Sequence, residues 1–244
     1  MLKKITFIVL ALTVSLSANA QDWWGKSKRI KGNGNVVTVS RTTSDYDGIS
    51  VGGSFDVILV KGKEGKISIE GEENIIPYVE TEVKGNTLKV NYQKNTNINT
   101  TKRLTVTITY QDIEMVSLGG SGNITCKGTL KTTDLKASLG GSGNITLNVD
   151  TDELSANIGG SGNIKLSGNS NELTCSIAGS GSIKAYDLST DTLNATIAGS
   201  GSIRTTVKTK IKAKVVGSGS IYYKGNPTYI DTKSVGSGDV IDRN

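Results

Sequence analysis

The sequence predicts an all-β chain wound as a parallel β-helix, a solenoid with coils of ~19–20 residues preceded by an irregular β portion. Three observations carry this expectation. A Gly-Ser-Gly turn returns seven times at a near-fixed period, the residues between turns alternate apolar and polar in the same slots from one repeat to the next, and 30 glycines stand against 2 prolines.

Residues 1–20 have a separate fate. Lys3 and Lys4 precede an apolar run over 5–16 that closes on Ala18-Asn19-Ala20, which reads as a signal peptide cut before Gln21. The run is too short to span a bilayer, and no later stretch approaches the ~20 apolar residues of a spanning helix. No cysteine stands at the cut site to be acylated. An exported chain without a transmembrane segment is expected, held in the periplasm, at the outer-membrane surface or secreted. Residues 21–44 read as a leader or linker, with Trp23-Trp24 and the glycine-rich Lys31-Gly32-Asn33-Gly34-Asn35.

Residues 45–118 read as β with uneven spacing. Strands are expected near 54–60, 66–70, 87–92 and 104–108, with loops at 71–74 and 93–102. Gly53-Ser54-Phe55-Asp56-Val57 looks like a worn copy of the later turn, so the stretch is either the first rungs of the solenoid or a portion apart.

Residues 119–244 carry the regular repeat. Gly120-Ser121-Gly122-Asn123-Ile124 recurs as Gly141-Ser142-Gly143-Asn144-Ile145 and as Gly160-Ser161-Gly162-Asn163-Ile164. Gly179-Ser180-Gly181-Ser182-Ile183 follows, then Ser200 and Ser218 in the same Gly-Ser-Gly-Ser-Ile setting, and last Gly236-Ser237-Gly238-Asp239-Val240. The serines are 21, 19, 19, 20, 18 and 19 residues apart. Before the turns stand Leu135, Leu154, Leu173, Leu193, Ile211 and Ile230 in one slot, with Ala137, Ala156, Cys175, Ala195, Ala213 and Thr232 two residues later. After the turns stand Ile124, Ile145, Ile164, Ile183, Ile203, Ile221 and Val240. This period-2 pattern turns one face inward, and each coil is expected to run strand, glycine turn, strand and a polar return such as Asn148-Val149-Asp150-Thr151-Asp152. One unit cannot bury its apolar face; stacking at about 4.8 Å per rung builds a continuous core. The turn asks for positive φ at one glycine and close approach of rungs at the other. Cys126 and Cys175 fall in inward slots about two rungs apart, as small core residues rather than a disulfide.

The segment Arg103-Leu104-Thr105-Val106-Thr107-Ile108-Thr109-Tyr110, with Ile113 and Leu118-Gly119-Gly120-Ser121-Gly122, resembles the bacterial family named for the head GIN domain of putative auto-transporter adhesins. So does Tyr46-Asp47-Gly48-Ile49-Ser50-Val51-Gly52-Gly53-Ser54-Phe55-Asp56-Val57. The resemblance covers roughly residues 44–240. It implies a β-helical fold, export and adhesion, and it brings no catalytic residues.

Composition narrows the chemistry. The absence of histidine excludes Ser-His and Cys-His catalysis, and the net charge of +6 is spread through strands rather than gathered in a basic arm, so nucleic acid is not an expected partner. Calcium-binding nonapeptide repeats need an aspartate after the glycines and a shorter period, and only Asp239 fits; no metal or cofactor is expected. A pectinase-like polysaccharide lyase or hydrolase is the alternative, but Asp134, Asp150, Asp152, Glu153, Glu172, Asp187 and Asp191 do not share a slot between rungs. The expected function is therefore binding or adhesion without catalysis. The candidate surface is a column four residues after the serines: Thr125, Thr146, Lys165, Lys184, Arg204 and Tyr222. Its three cations, extended by Lys212 and Lys214, would suit an acidic glycan or another cell-surface polymer.

Overall fold

A computed structural model describes residues 28–244; the expected signal peptide and Trp23-Trp24 lie outside the described residues. In chain order the strands begin with β1 (Lys28–Lys31), β2 (Val36–Thr42), β3 (Gly48–Gly52), β4 (Asp56–Lys61) and β5 (Lys66–Glu72). After a 3₁₀ turn at Ile76–Tyr78 follow β6 (Val79–Lys84), β7 (Thr87–Tyr92), β8 (Thr96–Asn99), β9 (Thr105–Tyr110) and β10 (Met115–Gly120). The regular part comprises β11 (Asn123–Gly141), β12 (Asn144–Gly160), β13 (Asn163–Gly179), β14 (Ser182–Gly199) and β15 (Ser202–Gly217). It ends with β16 (Ser220–Lys224), β17 (Tyr229–Gly236) and β18 (Val240–Asp242). β1 and β8 pair with each other, and the other sixteen strands form one sheet, wound into a β-solenoid of about seven turns with about 19 residues per coil.

The expected columns are in register. Leu135, Leu154, Leu173, Leu193, Ile211 and Ile230 stack, as do the isoleucines from Ile124 to Ile221 with Val240 above them. The isoleucines are fully buried. At each corner both glycines leave space for the rung below, and the first also supplies the backbone form. Gly160 has φ +148°, while a Cβ on Gly162, whose φ is not positive, would lie 2.3 Å from the Gly143 carbonyl oxygen of the rung below.

The polar returns differ from expectation. The backbone does not leave the sheet there: β12 runs unbroken through Asn148-Val149-Asp150-Thr151-Asp152, with Val149 and Thr151 buried. Thr151, Ser170 and Thr190 form an inward hydroxyl column. Each donates to backbone carbonyls at the bend, Thr151 to Thr133 at 2.8 Å and Ser170 to Glu172 at 2.7 Å, so a polar sequence closes the third side without orphaned groups.

Residues 45–118 supply rungs too, but out of chain order. β3 and β4 form a coil with the Gly53-Ser54-Phe55 corner between them, and β10 and the start of β11 lie on it. Beneath it lie β7 and β9, bridged by 93–104 instead of a glycine corner. Antiparallel strands then close this end: β6 on β7, β5 on β9, and β2 on β5. The expected loop at 71–74 begins inside β5, where Glu72 is buried. The Glu72 carboxylate accepts hydrogen bonds from the backbone N–H of Gly34 (2.7 Å) and Thr101 (2.8 Å) and from the Thr101 hydroxyl (2.6 Å). Burial alone would raise its pKa; these donors outweigh that and hold it at about 2.

Both cysteines are free thiols. Cys175 is buried in its column, and burial pushes its pKa up to about 12. Cys126 keeps the inward side, in register with buried Leu59 of β4 and packed against the core, but loses its partner in β12. The register slips between Thr125 and Thr129, leaving it half-buried with its Sγ 3.2 Å from the Tyr110 hydroxyl.

Candidate functional site

Side chains after the corner point alternately inward and outward, so the buried isoleucines fix the outward direction of the residues next to them. One step before Val57 and the isoleucines Ile124, Ile145 and Ile164, the residues Asp56, Asn123, Asn144 and Asn163 stack one rung apart. Their amides bond to one another: Asn123 donates to Asp56 at 2.6 Å, Asn144 to Asn123 at 2.9 Å and Asn163 to Asn144 at 3.0 Å. This ladder spends its polarity internally. The repeat serines beside it, from Ser121 to Ser237, are exposed along the ridge of the corner.

One step after each isoleucine the outward column reads Thr125, Thr146, Lys165, Lys184, Arg204 and Tyr222, each paired in register with the next. Lys165 and Lys184 are exposed and Arg204 is half-buried. Arg204 donates to the Ser202 hydroxyl at 3.1 Å, and its guanidinium lies 5.4 Å from the centre of the Tyr222 ring. Arg243 stands 5.1 Å from that ring. Among the described residues none of Lys165, Lys184 and Arg204 has a carboxylate within ion-pairing distance, whereas Lys131 and Lys208 are paired with Asp150 and Asp191.

The three cations line an open hollow of about 600 Å³ with Ser182, Tyr186 and Asp187. Unequal coil lengths create it. The coil from Ser180 to Ser200 has 20 residues and the next 18. The surplus is shed between Ala185 and Ser189, where the register with β15 slips and Tyr186-Asp187 is lifted against the cation column. The Tyr186 carbonyl accepts from the Thr206 hydroxyl at 2.8 Å, and Lys224 lies 5.1 Å from its ring centre. Column counting misses Tyr186 and Asp187, because it assumes equal coils; the run of 20 then 18 was the available signal.

Lys212 and Lys214 do not join this hollow. They lie on the strand before the Gly-Ser-Gly corner, not after it, and line a second hollow with Ser176, Asn194, Asp231 and Lys233. Lys212 stacks on Asn194 and under Asp231; Lys214 stacks on Thr196 and under Lys233. The site thus divides into two basic surfaces on either side of the corner ridge.

Chemically, the first hollow offers three one-rung-spaced hydrogen-bond donors of like charge, a tyrosine ring and one carboxylate, Asp187. Among the described residues no group of three or more Asp, Glu or Cys could hold a metal ion, and no helix is long and apolar enough to cross a membrane.

A family model described as "Putative auto-transporter adhesin, head GIN domain" matches residues 45–227. Among solved structures, a putative adhesin from Bacteroides fragilis is 25% identical with a TM-score of 0.82, covering 88% of this chain and 100% of its own. A putative adhesin from Parabacteroides merdae is 27% identical with a TM-score of 0.71, covering 89% and 100%. A protein from Parabacteroides distasonis described as a putative lipid binding protein is 31% identical with a TM-score of 0.76, over 89% and 100%. No curated protein is significantly similar.

Proposed function

This chain belongs to the family described as putative auto-transporter adhesin, head GIN domain, and from that premise we propose that it is an exported binding protein that holds an acidic glycan or another linear anionic cell-surface polymer along Lys165, Lys184 and Arg204. The observation that carries this reading is the stack of three cations without acidic partners in one hollow. Rungs about 4.8 Å apart set them along a line of some 10 Å, close to two sugar units. Like charges at that spacing repel, and a linear polyanion relieves all three contacts at once. Tyr186 offers a ring face against which the apolar side of a sugar can pack. Lys212 and Lys214 act as a second contact, reached only by a ligand that crosses the corner ridge.

Adhesion is favoured over polysaccharide hydrolysis. Asp187 is the one carboxylate in the hollow, and acid–base cleavage of a glycosidic bond calls for a pair.

The test is equilibrium binding to polygalacturonate and chondroitin sulfate at low and high salt, beside vesicles of anionic lipid and an assay for chain cleavage. Saturable, salt-sensitive glycan binding without cleavage is expected. The triple variant Lys165→Ser, Lys184→Ser, Arg204→Ser should bind about ten- to a hundredfold more weakly, since exposed pairs contribute roughly 0.5–1 kcal/mol each. Undiminished affinity in that variant, preference for vesicles over every glycan, or turnover would each overturn the proposal.

A further inference from the structure

The carboxy-terminal end of the solenoid presents an edge that matches itself. β17 pairs with β15 on one side only, and every residue from Tyr229 to Gly236 is exposed. Alternate residues of such a strand point N–H and C=O away from the sheet, a template for a further strand. Apolar side chains lie along it as well: Tyr229 is 50%, Ile230 48% and Val235 66% exposed.

The order of outward side chains says what would cover it. Inward slots are held by Ile230, Thr232 and Ser234, so Tyr229, Asp231, Lys233 and Val235 face outward. Read from either end this row is apolar, charged, charged, apolar, with opposite charges at its centre. If a second copy of β17 is laid antiparallel about a two-fold axis through Thr232, Asp231 faces Lys233 of the second copy, Tyr229 faces Val235, and each relation is repeated by symmetry. Centring the axis on Asp231 or Lys233 would instead oppose like charges. Within one chain Lys214 and Lys233 already stack in register as neighbouring cations. The second copy would place its Asp231 on the far side of Lys233 and relieve that repulsion.

We propose that this edge joins two copies of the chain into a closed two-fold dimer by antiparallel pairing of β17. A two-fold contact uses the same edge of both copies, so the pairing of β17 closes at two copies; the opposite end carries different edge strands, β2 and β6, each paired on one side.

Sedimentation velocity over a concentration series tests the proposal, with thermal unfolding as a check on folding; Asp231 and Lys233 are exposed, so their exchange leaves the core untouched. The native protein should dimerise, Asp231→Lys and Lys233→Asp should each weaken dimerisation at least about tenfold, and the double exchange should restore it to within a few-fold. Thr232→Cys gives an independent readout. Directly opposed Cα atoms in antiparallel strands lie about 4.5–5.5 Å apart, within disulfide reach, so mild oxidation should yield a covalent dimer that the native chain, with only Cys126 and Cys175, does not form. A monomer at every concentration, a dimer indifferent to the single exchanges, or larger assemblies would overturn the proposal.

Discussion

At the amino-terminal end the last parallel rung, β7 with β9, lies under antiparallel β6 and β5, and Phe55, Tyr46 and Tyr110 are buried close by. At the carboxy-terminal end β17 has a neighbour on one side only, and Ile230, in the slot that buries Leu154 and Leu173 completely, is half exposed. Both ends finish on parallel strands with inward apolar slots; they differ in the corner, which is glycine only at the carboxy-terminal end, and in what lies on top. A stacked rung is stabilised by its neighbours, so the same residue is worth more between two rungs than on the last.

The largest test of that difference uses the corner glycines. Gly160 has φ +148° with a Cβ position 2.4 Å from the Gly141 carbonyl oxygen; Gly236 has φ +117° with one 2.3 Å from that of Gly217. The local clash is the same. Gly160→Ala, pinned between two rungs, should cost about 4 kcal/mol or prevent folding, while Gly236→Ala on the free rung should cost about 1 kcal/mol, because that rung can lift away. Chemical denaturation measures both, and equal costs would break the comparison.

Large-to-small substitutions come next. Phe55→Ala opens a cavity beside Tyr92, whose ring centre is 4.5 Å away, and should cost about 3 kcal/mol. Ile230→Ala should cost under about 1 kcal/mol, since the side chain already meets solvent. Thermal melts of the two variants should separate accordingly.

Glu72 sharpens the account of the capped end. Its carboxyl titrates at about 2 in the folded protein against an ordinary 4.5. The depressed value means that the carboxylate's contribution is complete above the ordinary value and drains away as pH falls through 4.5 toward 2. Glu72→Gln should lose about 2 kcal/mol at neutral pH, with the gap to the native protein closing in acid. A pH-independent gap would show that shape, not charge, holds 32–34 and 100–102 to β5.

The smallest effect is a gain. The Thr205 hydroxyl is buried without a hydrogen-bond partner, stacked between Ala185 and Tyr223. Thr205→Val keeps the shape and removes the orphaned group, and should raise stability by about 1 kcal/mol in urea unfolding.

The sequence by itself determined the solenoid, its coil length, its inward columns and the stacking of Lys165, Lys184 and Arg204, because one register, repeated, puts equivalent residues on top of one another. It also announced Gly53-Ser54-Phe55 as a corner, since the demand for glycine there is local. Tertiary structure decided what depends on departures from the repeat. The polar returns became a third side because Thr151, Ser170 and Thr190 could satisfy the carbonyls at the bend, a pairing invisible in residue type alone. Tyr186 reached the cation column because adjoining coils differ in length, and the corner divided Lys212 and Lys214 from that column. The order of the first rungs, with β3 and β4 lying above β7 and β9, was likewise settled by packing: the last parallel rung had to be met by antiparallel strands, and the chain passed back and forth to supply them.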